Sequence, residues 1–392
     1  MRTLLVNWYA NRSGGADAYT EDLALGLTAR GHDVTVLCHD ASPKVDGACE
    51  VVRVPKPAFA AWPAVWRVAP VLAWAEWERR LLGVRLRRPA AVVCSPAVCV
   101  RPLRKRWPSA GMVYLPHARI APEEVAGTAT GLLARAGFEV QYRAERWALR
   151  HADTTVRFTQ GNVDALRQFY RLPAATRFTV IPPAVEVPPP PPPRPAPGAG
   201  RPVRLLAVGR LIPSKNLPFL LDVLAGLRDL AWTLDVVGDG PERASLEARA
   251  AGLADRVTFH GHRDDVGRFY ESADAFVFPS RLENSALVVL EAMARGLPTL
   301  AVRADGVRYR NSHHEVIADG VTGRLVGEAE YAAALREAIR DPRPLRDLGT
   351  AARQAAVASH DREAAFDRWD ELLRSVRRPA PTVRRPLAGA PS

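Results

Sequence analysis

Ser280-Arg281-Leu282-Glu283-Asn284-Ser285-Ala286-Leu287-Val288-Val289-Leu290-Glu291-Ala292-Met293-Ala294-Arg295-Gly296-Leu297-Pro298 places two carboxylates eight positions apart, separated by Asn-Ser-Ala and the apolar run Leu287 to Leu290. A helix that begins near Asn284 or Ser285 leaves Glu283 on the loop before it and Glu291 about two turns in. The free N–H groups at such a helix start favour an anion beside Glu283. Both carboxylates can then accept hydrogen bonds from the hydroxyls of one polyhydroxylated ligand. Taken alone, the spacing more often means an amphipathic helix with a solvated Glu at each end. The flanks change that balance. Ala275 to Phe278 has the composition of a buried strand, it ends at Pro279-Ser280, and Gly296-Leu297-Pro298 closes the helix.

The chain has 392 residues, too many for one core, and 47% of them are apolar, which is ample for two domains. Its net charge of +12 is concentrated in two places. Trp62 to Arg106 holds ten Arg or Lys against Glu76 and Glu78, and the tail from Arg377 adds four Arg without an acid. The remainder is balanced, which argues against a uniformly basic nucleic-acid coat. Cys38, Cys49, Cys94 and Cys99 lack paired zinc-ligand spacing and are expected to be buried free thiols. The N-terminus runs directly into Leu4-Leu5-Val6 without a signal-peptide core, and Pro57 to Ala75 is broken by Pro63, Arg67 and Pro70. A cytoplasmic protein is the expectation.

Short β-branched runs alternate with helical patterns in two consecutive series. Leu4 to Asn7, Val34 to Cys38, Val51 to Val54, Ala91 to Cys94 and Met112 to Leu115 are the expected strands of the first, with helices over Ala16 to Arg30 and Glu139 to Arg150. The run Pro188 to Pro193 and its Pro-rich continuation have few donors and a preset φ, so they form an extended spacer. Beyond it come strands Leu205 to Val208, Leu234 to Val237, Val257 to His260, Ala275 to Phe278 and Pro298 to Val302, with helices between. This pattern predicts an α/β chain: a first Rossmann-like domain over 1–186, a linker over 187–202 and a second domain over 203–360. A helix over 361–376 places Phe366, Trp369, Leu373 and Val376 on one docking face, and the basic Pro-rich tail 377–392 is expected to be disordered.

Four further loops carry candidate chemistry. Gly209-Arg210-Leu211-Ile212-Pro213-Ser214-Lys215-Asn216 follows a strand and precedes a helix, so Arg210 and Lys215 can neutralise clustered phosphate charge, or be plain surface cations. Gly238-Asp239-Gly240-Pro241 makes a tight turn, structural or in backbone contact with a nucleoside. Asn11-Arg12-Ser13-Gly14-Gly15-Ala16-Asp17 lets backbone approach an anion at a helix start, without the spacing of a dinucleotide fingerprint. His117 follows Tyr114-Leu115-Pro116 at a strand end, where a lone His is ordinarily a surface or satisfied core residue.

In order, these elements resemble the retaining nucleotide-sugar glycosyltransferases of family 4, over nearly the whole chain from Leu4 to about Val376. The resemblance implies the GT-B architecture: two Rossmann-like parallel α/β domains facing a central cleft, the second binding a nucleotide-diphosphate sugar donor and the first an acceptor hydroxyl. By resemblance, Arg210 and Lys215 grip the diphosphate, Glu283 binds the sugar hydroxyls and Glu291 those of the ribose. His117 contacts the donor sugar and joins Arg210, Lys215 and Glu283 in the catalytic set. Gly14, Gly15, Gly209 and the segment Ser285, Ala286, Leu287 complete the donor site through backbone groups, with Gly238, His262 and Arg263 near the nucleobase. No metal or other cofactor is expected, and no nucleic acid. The acceptor is a small molecule or a lipid, in natural-product or cell-envelope glycan biosynthesis, and the Trp-rich basic segment leaves peripheral membrane contact open. A sugar-nucleotide epimerase of similar form and a non-catalytic sugar-nucleotide or nucleic-acid binding protein are the alternatives. Three features depart from the family pattern: Asn284-Ser285-Ala286 after the first Glu, the long segment Val307 to His314, and the Pro-rich spacer.

Overall fold

The computed structural model describes residues 1–10, 15–55, 79–81, 83–116, 132–190, 201–283 and 287–376. Two compact units emerge, one of Met1–Ile181 with Phe366–Ser392 and one of Pro182–Ala365. The chain therefore changes unit at Ile181/Pro182, before the Pro-rich run, and returns to the first unit partway along its last helix.

The first unit is built on seven parallel strands: β1 (Arg2–Val6), β2 (Asp33–Cys38), β3 (Glu50–Arg53), β4 (Ala91–Cys94), β5 (Gly111–Tyr114), β6 (Thr154–Arg157) and β7 (Phe178–Val180). Their order across the sheet is β3-β2-β1-β4-β5-β6-β7. The inner strands β1, β2, β4 and β5 are covered on both faces, which is why they carry nearly continuous apolar runs. Leu4, Val6, Val92, Cys94, Met112 and Tyr114 pack against α2 (Ala97–Arg106), α3 (Leu132–His151) and α4 (Gln160–Tyr170). The thiols are free; Cys38, Cys94 and Cys99 are buried and Cys49 only half-buried. Of the basic run, Arg104 donates to Ala110 O and pairs with Asp153 at 2.8 Å, and Arg106 donates to the carbonyls of Leu81 and Val84. These cations serve the unit's own backbone. The Trp62 to Trp77 cluster lies outside the described residues.

The final helix, α11 in chain order (Arg362–Ser375), buries Phe366, Trp369 and Leu373 in the first unit. Trp369 Nε1 donates to the Tyr19 hydroxyl on α1 (Gly15–Ala29) at 2.7 Å. A Cβ at Gly26 of α1 would stand 2.3 Å from the Phe366 ring, so the ring occupies the space that a side chain would need. His32 Nε2 lies 2.7 Å from Asp370, and Arg30 pairs with Asp367.

Inside this unit Glu145 of α3 is buried, and Tyr114 OH donates to its Oε1 at 3.1 Å. Burial raises its carboxyl to about 7, against the opposing pull of Tyr114, Tyr170 and Arg157. A carboxyl whose folded pKa is raised stabilises the fold below its unfolded value, and that contribution is lost as pH rises through about 7. Glu145→Gln stays neutral and keeps an acceptor for Tyr114. Its melting temperature relative to wild type is expected to improve as pH climbs from about 4.5 to about 7. A pH-independent difference in parallel thermal melts refutes this.

The second unit repeats the same winding: β8 (Val203–Val208), β9 (Trp232–Val237), β10 (Val257–Gly261), β11 (Ala275–Phe278), β13 (Thr299–Val302) and β15 (Gly323–Val326). The first four lie in the order β10-β9-β8-β11, followed by β13 and β15. Between them sit two-residue strands β12 (Leu282–Glu283) and β14 (Arg310–Asn311), paired in parallel with each other. Alternate residues of β8 serve opposite faces. Leu205 and Ala207 pack toward α5 (Leu217–Ala225), α6 (Arg243–Arg249) and α9 (Tyr331–Arg340); Leu206 packs toward α7 (Gly267–Ser272), α8 (Leu287–Ala294) and α10 (Arg343–Ser359). The strand order reverses between β8 and β11, and a crevice at their carboxyl ends is where an open α/β sheet takes its ligand. Both signature loops leave from those two strand ends.

Candidate functional site

β8 ends at Val208, and the chain turns through Gly209 at a positive φ of 149° into Arg210, whose side chain is exposed. Gly209 N donates to Val237 O and Leu211 N to Asp239 O, so this loop runs against the turn after β9. A Cβ on Gly238 would lie 2.0 Å from Gly209 O. Contact between the two backbones thus demands glycine at 238, whether or not a nucleoside approaches it.

After Leu211 a 3-10 turn, Pro213–Lys215, delivers Lys215, and Asn216 at φ 56° and ψ 34° redirects the chain into α5. The left-handed conformation suits Asn among non-glycine residues. From β11 the chain passes through Ser280, whose hydroxyl is held near Ser214 O, and Arg281 N donates to the same Ser214 carbonyl at 2.8 Å. These links bring two loops distant in sequence together. Lys215 Nζ donates to Glu283 Oε2, with both side chains largely buried, and Nζ sits 5.2 Å from the Phe278 ring centroid. A cation and a carboxylate withdrawn from water compensate each other's desolvation. Gly209, Arg210, Lys215, Phe278 and Pro279 line one recess at this point.

Glu291 is the one charged residue of α8, whose other residues include the buried Val289, Leu290, Ala292, Met293 and Ala294. A carboxylate in so apolar a helix needs partners. Tyr270 OH donates to Glu291 Oε2 at 2.8 Å. Burial, then the neighbouring Glu291 charge, pushes the Tyr270 hydroxyl well above the usual phenol range, so it remains a donor. Glu291 stands about one turn beyond Leu287, the first described residue of the helix. The expected start near Asn284 or Ser285 falls outside the described residues, as do the candidates Ser285 and Ala286.

The structure thus brings Gly209, Arg210, Lys215 and Glu283 to adjoining loops, with Glu291 and Leu287 on the following helix. Among the nucleobase candidates, Arg263 is held by Asp265 at 2.9 and 3.0 Å, and His262 is exposed, 3.6 Å from Asp264. Gly15 is the first residue of α1, and Gly14 lies outside the described residues. His117 also lies outside them; the residue before it, Pro116, accepts a hydrogen bond from the buried Arg157.

Sequence reasoning missed Tyr270, Tyr309, Asn311 and His313. Asn216 Nδ2 donates to Tyr309 OH at 2.9 Å, and Asn311 Nδ2 donates to the carbonyls of Ser280 and Val302, each at 3.1 Å. Burial, opposed by a backbone hydrogen bond to Val302 and assisted by the charge of Lys215, lowers His313 to about 4. Only the unusual length of the segment Val307 to His314 hinted at any of this.

The family model described as Glycosyltransferase Family 4 matches residues 13–188, and that described as Glycosyl transferases group 1 matches residues 202–341. A glycogen synthase of Mycobacterium tuberculosis is 29% identical over 395 aligned residues, covering 92% of this chain and 91% of the relative. Among solved structures, a sucrose-phosphate synthase of Thermosynechococcus elongatus superposes with a TM-score of 0.74 at 21% identity, over 96% of this chain and 98% of that one. HepE of Anabaena, solved with UDP-glucose, gives 0.72 at 19% identity, over 96% of this chain and 100% of that one. The fold is GT-B, the match over residues 202–341 takes in Lys215, Glu283 and Glu291, and the chain belongs to the group 1, family 4 glycosyltransferases.

Proposed function

We propose that this glycosyltransferase moves a sugar from a nucleotide-diphosphate sugar to an acceptor hydroxyl, with retention at the anomeric carbon and without a metal. The observation that carries the proposal is the meeting of Lys215 and Glu283 at the reversal of strand order, beside Arg210 and close in sequence to Glu291. One cationic pair and two carboxylates match the two ends of such a donor. Arg210 and Lys215 compensate the charge that develops on the departing diphosphate, which is the task a metal performs elsewhere. Glu283 orients the sugar through its hydroxyls. Glu291, aimed by Tyr270, accepts from the ribose. The leaving phosphate takes the acceptor proton on the face that it vacates, so no protein base is assigned.

The Anabaena neighbour's complex with UDP-glucose and the Mycobacterium relative's name, glycogen synthase, support a hexosyl donor. A small soluble acceptor is preferred over a lipid, because Arg104 and Arg106 of the basic run are spent on the carbonyls of Ala110, Leu81 and Val84. A donor-by-acceptor screen with mass-spectrometric detection, followed by proton NMR of the product's anomeric coupling, tests the proposal. An inverted product removes retention, and absence of any sugar transfer across the screen removes the proposal.

Glu291→Ala is expected to weaken donor affinity, since charge-assisted hydrogen bonds to ribose are worth about 1.5–3 kcal/mol each before losses. That amounts to at least roughly tenfold in Kd. Calorimetric titration of the folded variant decides it; unchanged affinity removes the ribose assignment.

A further inference from the structure

We propose that Tyr309, Asn311 and His313, carried on the long segment after Gly306, are positioning residues that set the Lys215 and Glu283 loops and thereby govern which donor sugar is accepted. The inference rests on the donor-site reading above and deepens it.

Asp305 folds the segment. Its Oδ1 accepts from the backbone N–H groups of Val307, Arg308 and Tyr309 at 2.8, 2.8 and 2.9 Å. That turn sends Tyr309 inward until it is 1% exposed, with its hydroxyl on the amide of Asn216, the residue after Lys215. A left-handed Asn at the end of the Lys215 turn is thereby pinned from outside its own loop.

The next two residues form β14 and pair with β12, placing Asn311 opposite Glu283. Ser312 N donates to Glu283 O at 3.2 Å, so the backbone of the sugar-facing carboxylate is held directly. Asn311 spends both hydrogens of its amide on two carbonyls, one at the start of the Glu283 loop and one at the end of β13. His313, 1% exposed, donates from Nδ1 to Val302 O at 3.0 Å and lays its ring 5.1 Å from that of Phe278, the ring beneath the Lys215 ammonium. One segment therefore touches both halves of the Lys215–Glu283 pair, and through Asn311 and His313 it is itself anchored at the end of β13. A brace of this kind controls where a carboxylate meets a sugar hydroxyl, and misplacement by about an ångström costs up to about 10²-fold.

A segment that merely filled space would change stability and active fraction without changing selectivity. Tyr309→Phe keeps the ring and removes the acceptor for Asn216; Asn311→Ala releases the Glu283 loop. Calorimetry and steady-state kinetics with UDP-, ADP- and GDP-glucose and the corresponding galactose epimers first identify the donor that wild type uses, and then compare it with the free nucleoside diphosphate. Asn311→Ala is expected to raise KM for the sugar nucleotide about tenfold and to compress the glucose-to-galactose preference, while affinity for the free diphosphate stays within about twofold. Tyr309→Phe is expected to lower kcat and weaken the free diphosphate, through Lys215. Should Asn311→Ala fail to fold, Tyr309→Phe decides. Wild-type kcat, diphosphate affinity and epimer preference in the folded variants overturn the brace while leaving the donor site intact. A wild-type chain that neither binds nor turns over any of these donors removes the donor reading, and the brace with it.

Discussion

Lys215→Ala is expected to lower turnover by roughly 10²-fold or more at saturating donor while leaving the fold intact, the range seen when one preorganised electrostatic group is removed from a transition state. Lys215 ends a short turn and, among the described residues, pairs with Glu283. It belongs to neither hydrophobic core cluster of the second unit, so its loss is expected to act on the site more than on the core. The alanine variant leaves the Glu283 carboxylate without its cation, so Lys215→Gln and Lys215→Arg separate the causes. Gln restores a donor without charge and should remain slow; Arg restores charge on a bulkier fork and should recover part of the rate. Arg210→Ala, on the exposed side of the same loop, is expected to follow the same direction. Measured kcat near wild type in the folded Lys215→Ala protein would remove the leaving-group role.

The largest stability effect is expected at Trp369→Ala, about 3–5 kcal/mol, the usual cost of emptying a buried aromatic site. Trp369 is wholly buried, and the change also takes the indole donor from the Tyr19 hydroxyl. Chemical denaturation followed by circular dichroism should show a destabilised transition for the first unit with the second unchanged, since Phe366 and the residues after it belong to the first. Trp369→Phe should lose less, because most of the volume survives. A loss below about 1 kcal/mol for the alanine variant would mean that the helix contributes little to this core.

Strands such as Ala91–Cys94 and Ala275–Phe278 were legible in the sequence because parallel strands buried on both faces carry uninterrupted apolar runs. Thr154–Arg157 and Gly323–Val326 are not legible as strands because Thr-Thr-Val-Arg and Gly-Arg-Leu-Val hold too few apolar residues to stand out. The helices Tyr331–Arg340 and Arg343–Ser359 are hard to read because their Ala- and Arg-rich sequences hold few large apolar residues, although Asp341-Pro342-Arg343-Pro344 marks the break between them. The positions of Arg210, Lys215, Glu283 and Glu291 on their loops and helix are legible because each sits at a fixed offset from its own strand or helix, whereas their roles come from the family resemblance. Tyr270 for Glu291, Tyr309 for Asn216 and Asn311 for Ser280 are pairings between distant segments. Local pattern carries no record of them; only the folded sheet brings the partners within 2.8–3.1 Å.

The return of α11 to the first unit sets an order of events during synthesis. Residues 182–365 hold everything that the second unit requires, whereas the first unit, although its strands emerge earliest, lacks Phe366, Trp369 and Leu373 until the end of that stretch has been made. The surface of α1 around Gly26 and Tyr19 consequently stays uncovered while more than half of the chain is still being added. The unit begun first is the unit finished last, so a nascent chain halted before Phe366 presents an unclosed apolar seam to chaperones and proteases.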